Sequence, residues 1–266
     1  MTDAHASSAI LHVDELAQAI AATGREMALP YVAASADIGS PEPILDSAGN
    51  PFAGNLFRWI DPTLEYWKDR GFALRSPLVH ATRALSEPFW FAWNSGFATW
   101  RPNAALAALT AEIAEGFATY HVAGAIVCPA YLPEGVIGAV TWATDDRSVD
   151  VKAVFDARAE HLHALALRFV ATYREATHGA AGTPVRLTRR EIQCLKWAAA
   201  GKTDAEISEL VHIALPTVRF HVTNASRKLG VIGRSQAVHR AANLGYIGAP
   251  EAVGGGRQQR SPGTAA

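Results

Sequence analysis

Apolar residues recur every three or four positions in four short runs between Leu187 and Ile247. This spacing predicts four amphipathic helices. Thr188 with Glu191, and Thr203 with Glu206, have the capping-box spacing of helix starts. Ile192, Leu195 and Ala199 share a face of the first helix, which Gly201 ends. Ile207, Leu210 and Val211 line the second, and His212 to Leu215 forms a turn. Pro216 suits the first turn of the third helix, where its missing N–H costs nothing. Val218, Val222, Ala225 and Leu229 form its buried stripe, and Gly230 and Gly233 break it. The fourth helix runs from Ser235 to Leu244, with Ala237, Val238, Ala241 and Leu244 inward.

The pattern is less regular upstream. Residues 1–8 read as frayed, and Ala9 to Leu29 as a helix anchored by Leu11, Leu16 and Ile20. Asp37 to Phe52 is turn-rich. Helices are expected over Pro62–Arg70, from Pro77 to Leu85, and over Ala104–Tyr120. Val122–Pro129 and Gly135–Ala143 are apolar, β-branched runs around Pro133, the pattern of a β-hairpin. Asp150 to Thr177 predicts a long helix with the stripe Val151, Phe155, Ala159, Leu162, Ala166, Phe169 and Tyr173. That stripe suits either a dimer interface or burial within its own domain. The fold class expected is α+β: an N-terminal α/β/α sandwich with an antiparallel sheet, then an all-α four-helix domain. The boundaries are 9–177 for the first domain, 178–186 for a linker and 187–247 for the second. Residues 248–266 have the composition of a disordered tail.

Charge sharpens this division. Leu187–Ile247 holds nine Lys/Arg against four Asp/Glu, a net +5, while the rest of the chain is −6. A basic helix-turn-helix beside an acidic partner implies binding to double-stranded DNA. Burying the third helix's stripe turns Thr217, Arg219, Thr223 and Asn224 toward a major groove, with Phe220 beside them. Arg219 is the candidate for a guanine edge. Lys202, Thr203, Arg227, Lys228 and Arg234 are candidates for phosphate contacts, which position without reading sequence.

Other chemistry finds little support. His161 and His163, near Glu160, are spaced i, i+2 and point to different helix faces, which disfavours a metal site. Cys128 and Cys194 fall in different domains, and a reducing cytoplasm suits them. No nucleotide-binding or nucleophile-elbow motif stands in a suitable context, so neither a cofactor nor an enzyme activity is expected. No apolar run is long enough to span a bilayer, and no signal peptide is evident.

The segments LTRREIQCLKWAAAGKTDAEIS, TVRFHVTNASRKLGV and RSQAVHRAANLGYI closely resemble the LuxR/GerE helix-turn-helix. Glu191, Leu195 and Gly201 match that family's recurrent acidic, leucine and glycine positions. The resemblance implies a transcription factor that binds inverted-repeat operators as a homodimer, with Gln236 to Leu244 at the DNA-domain dimer contact. More weakly, WKDRGFALRSPLVHATRALSEPFWF and GVIGAVTWA resemble the family's autoinducer-binding domain, a sandwich enclosing an acyl-homoserine lactone. Aligned on Pro77, the family's amide-binding aspartate falls on Ser76 and its lactone-binding tryptophan on Thr63. The acyl-carbonyl tyrosine falls on Trp59 and the packing tyrosine on Trp67. The packing tryptophan falls on Phe91 with Trp90 adjacent, an early hairpin glycine falls on Ala125, and Thr141 keeps the hydroxyl position. Losing the aspartate and indole bonds costs such a lactone at least about a hundredfold in affinity. The pocket is therefore expected to take a different small molecule or to be filled by its own aromatics. The alternative reading is a ligand-independent protein that pairs with another regulator of this type and titrates it. A response regulator is disfavoured, because the N-terminal half lacks a βα-repeating pattern.

Overall fold

The computed structural model describes residues 2–61, 76–119, 121–179 and 184–248. The chain divides into two compact units, Met1–Gly182 and Thr183–Ala266.

The first unit is built on a five-stranded antiparallel sheet ordered β1-β5-β4-β2-β3. Its strands are β1 (Tyr31–Ser35), β2 (Phe89–Ala92), β3 (Gly96–Ala98), β4 (Gly124–Tyr131) and β5 (Ile137–Thr144). The hairpin of β4 and β5 turns through a 3₁₀ segment, Pro133–Gly135, close to the expected turn. β1, β2 and β3 add strands where no strand was expected from the sequence. Alternation along each strand sends side chains to two faces. Trp90, Ile126, Trp142 and Val32 lie in register and join one core, packed under helices α1 (Thr2–Glu26) and α5 (Val151–His178). Phe89, Phe91, Val127 and Ala143 join a second core on the other face. Helices α3 (Pro77–Ala84) and α4 (Ala104–Thr119) pack together, with α3 against β4 and β5 and α4 against β3. A one-turn helix, α2 (Phe52–Asn55), sits beside β1. The observed layers are those of the expected α/β/α sandwich.

Helix α1 begins at Thr2, ahead of the expected Ala9, so the frayed reading of residues 2–8 is corrected. The expected helix over Pro62–Arg70 lies outside the described residues, as does Tyr120. Asp150 caps α5 by accepting the Ala153 N–H at 3.0 Å. The stripe of α5 from Val151 to Tyr173 is buried within this unit against the sheet and α1, which decides between the two expectations for it. Close approach of α5 to the sheet depends on Gly138, where an added Cβ would lie 2.5 Å from Val170 Cγ1 and 2.8 Å from the Ser35 carbonyl oxygen. The fully buried Trp142 donates from Nε1 to the Ile20 carbonyl at 3.0 Å, tying the sheet to α1.

The second unit is all-helical: α6 (Arg189–Ala199), α7 (Asp204–Val211), α8 (Leu215–Lys228) and α9 (Arg234–Asn243). Leu195, Ala225, Leu229, Ala237 and Ala241 make one part of its core. Cys194, Ile207, Val211, Val218 and Val222 make the other. Among the described residues no helix is long and apolar enough to cross a membrane.

Candidate nucleic-acid interface and sensor site

The helix-turn-helix is fixed by local chemistry at each joint. Both expected capping boxes form. Thr188 Oγ1 accepts the Glu191 N–H at 3.3 Å, and Glu191 Oε2 accepts the Thr188 N–H at 2.7 Å. Thr203 and Glu206 repeat the exchange at 3.3 and 2.7 Å. The Thr203 backbone and hydroxyl donors, with Lys202 at 3.2 Å, hold the Glu206 carboxyl down to about 2. His212 ends α7 in the left-handed region at φ 54°, a sharp reversal before Pro216 opens α8. Gly201, at φ 80°, makes the equivalent reversal after α6, where a side chain would be strained.

These joints bury Val218, Val222, Ala225 and Leu229 as expected and leave the opposite face of α8 to solvent. Arg219, Phe220, Thr223 and Arg227 are exposed there, and Thr217 and Asn224 are half-buried. Phe220 is 62% exposed, unusual for a large apolar side chain. Arg227 leans back to donate to Asn224 Oδ1 at 3.4 Å.

Besides Lys202 on Glu206 and Arg227 on Asn224, the other three expected phosphate contacts are also engaged within the domain. Thr203 is held by its capping box, with its hydroxyl 2.9 Å from Glu206 Oε2. Lys228 Nζ lies 2.8 Å from Oε2 of Glu191, a carboxylate only 3% exposed. Burial pushes the Glu191 carboxyl up, but the bonds from Lys228 and Thr188 outweigh it and leave the group below the usual range. Arg234 Nη1 lies 2.7 Å from Asp204 Oδ1, and Nη2 donates to the Lys202 carbonyl. Lys228 and Arg234 therefore tie helices together, a structural role the sequence reading missed. The partners lie 37 and 30 residues apart, beyond any local spacing signal.

In the first unit the sheet register sorts the expected ligand contacts. Phe91 and Thr141 fall on the face that carries α3 and α4, Thr141 paired with Val127 and Ala33. Trp59 joins that cluster, and buried Ser76 sits at the N-cap of α3 against the same face. Phe91 stacks on Phe97 with centroids 4.7 Å apart. Trp90 is a correction. As the strand neighbour of Phe91 it points to the opposite face, into the core with Trp142 and Ile126. A one-residue shift of alignment cannot bring it to the others. Thr63 and Trp67 lie outside the described residues.

Residues 185–241 match the family model described as bacterial regulatory proteins, luxR family (GerE). The transcriptional activator protein VanR of Vibrio anguillarum is 49% identical over 61 residues, 23% of this chain and 25% of VanR. Such relatives are thus matched over about a quarter of their own length. The transcriptional activator protein PhzR of Pseudomonas fluorescens is 28% identical over 193 residues, covering 69% of this chain and 72% of PhzR. A solved structure titled SdiA in complex with octanoyl-rac-glycerol covers 91% of this chain and 95% of its own, at 16% identity and a TM-score of 0.45. The similarity to the luxR family of bacterial regulatory proteins thus lies in the C-terminal helix-turn-helix domain, residues 185–241.

Proposed function

We propose that the protein is a cytoplasmic transcriptional regulator that binds inverted-repeat operator DNA as a homodimer. The observation that carries this reading is the polar face of α8. It is presented by a helix-turn-helix domain in which capping boxes open α6 and α7 and a proline sits in the first turn of α8. Arg219 contacts a guanine edge, Thr217, Thr223 and Asn224 contact neighbouring bases or phosphates, and Lys202, Thr203 and Arg227 contact the backbone. Lys228 and Arg234 act first by holding helices in place, with phosphate contact as a secondary role. Dimerisation sets two recognition helices one DNA turn apart, with α9 as the contact between DNA-binding domains. Relatives such as PhzR carry the name of transcriptional activators, which agrees with a DNA-directed rather than an enzymatic role.

The first unit gates this binding. Its sensor face gathers Trp59, Ser76, Phe91 and Thr141. A neutral hydroxyl at residue 76 binds an amide N–H more weakly than a carboxylate does. The signal is therefore a small molecule other than an ordinary acyl-homoserine lactone. A ligand-independent regulator is the second reading, favoured by the burial of Trp59, Phe91 and Ser76, each under a tenth exposed. Selection of the full-length protein on random duplexes tests the DNA reading. Enrichment of an inverted repeat is expected, and no enriched motif would overturn it. Thermal melting against short- and long-chain acyl-homoserine lactones tests the sensor reading. A flat response is expected, and concentration-dependent stabilisation would overturn the divergent pocket.

A further inference from the structure

Asp204 is the first residue of α7, and its carboxylate stands between two arginines from different helices. Arg234 Nη1 is 2.7 Å from Oδ1, and Arg219 Nε is 3.8 Å from Oδ2. The two contacts are unequal. Arg234 is two-thirds buried and also donates to the Lys202 carbonyl, so it is anchored. Arg219 is 68% exposed and reaches the carboxylate from the solvent face of α8. Asp204 is thus fixed by Arg234 and offers its second oxygen to the side chain proposed to read a base.

From this arrangement, and resting on the DNA-binding reading above, we infer that Asp204 is a specificity-determining positioning residue for Arg219. An arginine has many rotamers, and holding its guanidinium near one direction lowers the ordering cost of meeting a base edge. The same carboxylate lies at the start of the helix that crosses the DNA backbone in helix-turn-helix docking. There its charge opposes phosphates of any sequence, because non-specific affinity comes from neutralising them. The repulsion lowers operator and non-operator affinity alike, so it is through the positioning of Arg219 that Asp204 raises the ratio of the two. Arg234 keeps the carboxylate from acting as a bare negative charge.

Asp204→Asn keeps the side chain's shape and removes its charge. In the full-length protein, non-operator binding is expected to rise. The specificity ratio is expected to fall about threefold, the scale of a solvent-exposed charge pair. In an Arg219→Ala background the same substitution should change the ratio much less, because the positioned group is gone. A merely structural Asp204 would lower thermal stability and both affinities together, leave the ratio unchanged, and overturn the inference. An equal fall in the ratio with and without Arg219 would also overturn it. A wild-type protein with no operator preference would overturn the DNA-binding reading itself, and this inference with it.

Discussion

Glu191 offers the sharpest test of what holds the recognition helix in place. Its buried carboxylate accepts the Thr188 N–H at 2.7 Å and Lys228 Nζ at 2.8 Å, so one group caps α6 and secures the end of α8. A hydrogen bond to a charged group contributes about 1.5–3 kcal/mol. Lys228 is a third exposed, which moves its share toward the smaller value of a surface pair. Glu191→Gln keeps shape and an acceptor for Thr188, and is expected to cost about 1–2 kcal/mol. Glu191→Ala removes both bonds and leaves a hole, and is expected to cost about 2–4 kcal/mol. For a domain this small each kcal/mol corresponds to roughly 4–8 °C in Tm. The pH dependence has a definite sign. The folded carboxyl is depressed below its unfolded value, so its contribution is present above the ordinary glutamate range near about 4.3. It is lost as pH falls below that range. Amide hydrogen exchange in the full-length protein, read as local opening free energies in α6 and α8, separates this domain from the sensor unit. Unchanged protection in Glu191→Ala at neutral pH would refute the bridge as a stabilising element. A wild-type acid sensitivity that Glu191→Gln fails to reduce would refute the linkage.

Three further outcomes are expected. Arg219→Ala should weaken operator binding by about 1–3 kcal/mol and relax preference at one base pair, measured by competition binding; unaltered specificity would remove Arg219 from base reading. Gly138→Ala should destabilise the sensor unit by about 1–3 kcal/mol through overpacking against Val170 and the Ser35 carbonyl, measured by calorimetry. A Tm equal to wild type would mean the approach of α5 is not constrained there. Ser76→Asp with Thr63→Trp should raise affinity for acyl-homoserine lactones, seen as new thermal stabilisation; no gain would mean that the proposed correspondence of these positions is wrong.

The helix-turn-helix was legible in the sequence because its determinants are local. Capping pairs three residues apart, glycines at positive φ, a proline in the first turn and a period near 3.6 each mark a joint without reference to the rest of the chain. The sheet was legible only in its central hairpin. In β2 all four residues, Phe89 to Ala92, are buried because both faces are covered, so the run shows no alternation. β3 is three residues long, and β1 is mostly small side chains. Trp90 and Phe91 were inseparable for the same reason. Adjacent aromatics on an unmarked strand carry no sign of which one faces which helix layer, and the register with Ile126 and Ala125 decides it. The ties of Lys228 to Glu191 and Arg234 to Asp204 are tertiary, and read alone each cation looks like a phosphate contact. The stripe of α5 suited two surfaces, and only the presence of α1 and the sheet against it showed which one it meets.

Hydroxyl-radical footprinting of the full-length protein on its selected operator, with Arg219→Ala in parallel, tests the central claim most directly. The account predicts two protected blocks about one helical turn apart, each weakened by the substitution. Protection that is absent, or that survives intact without Arg219 at both half-sites, would contradict DNA reading through α8.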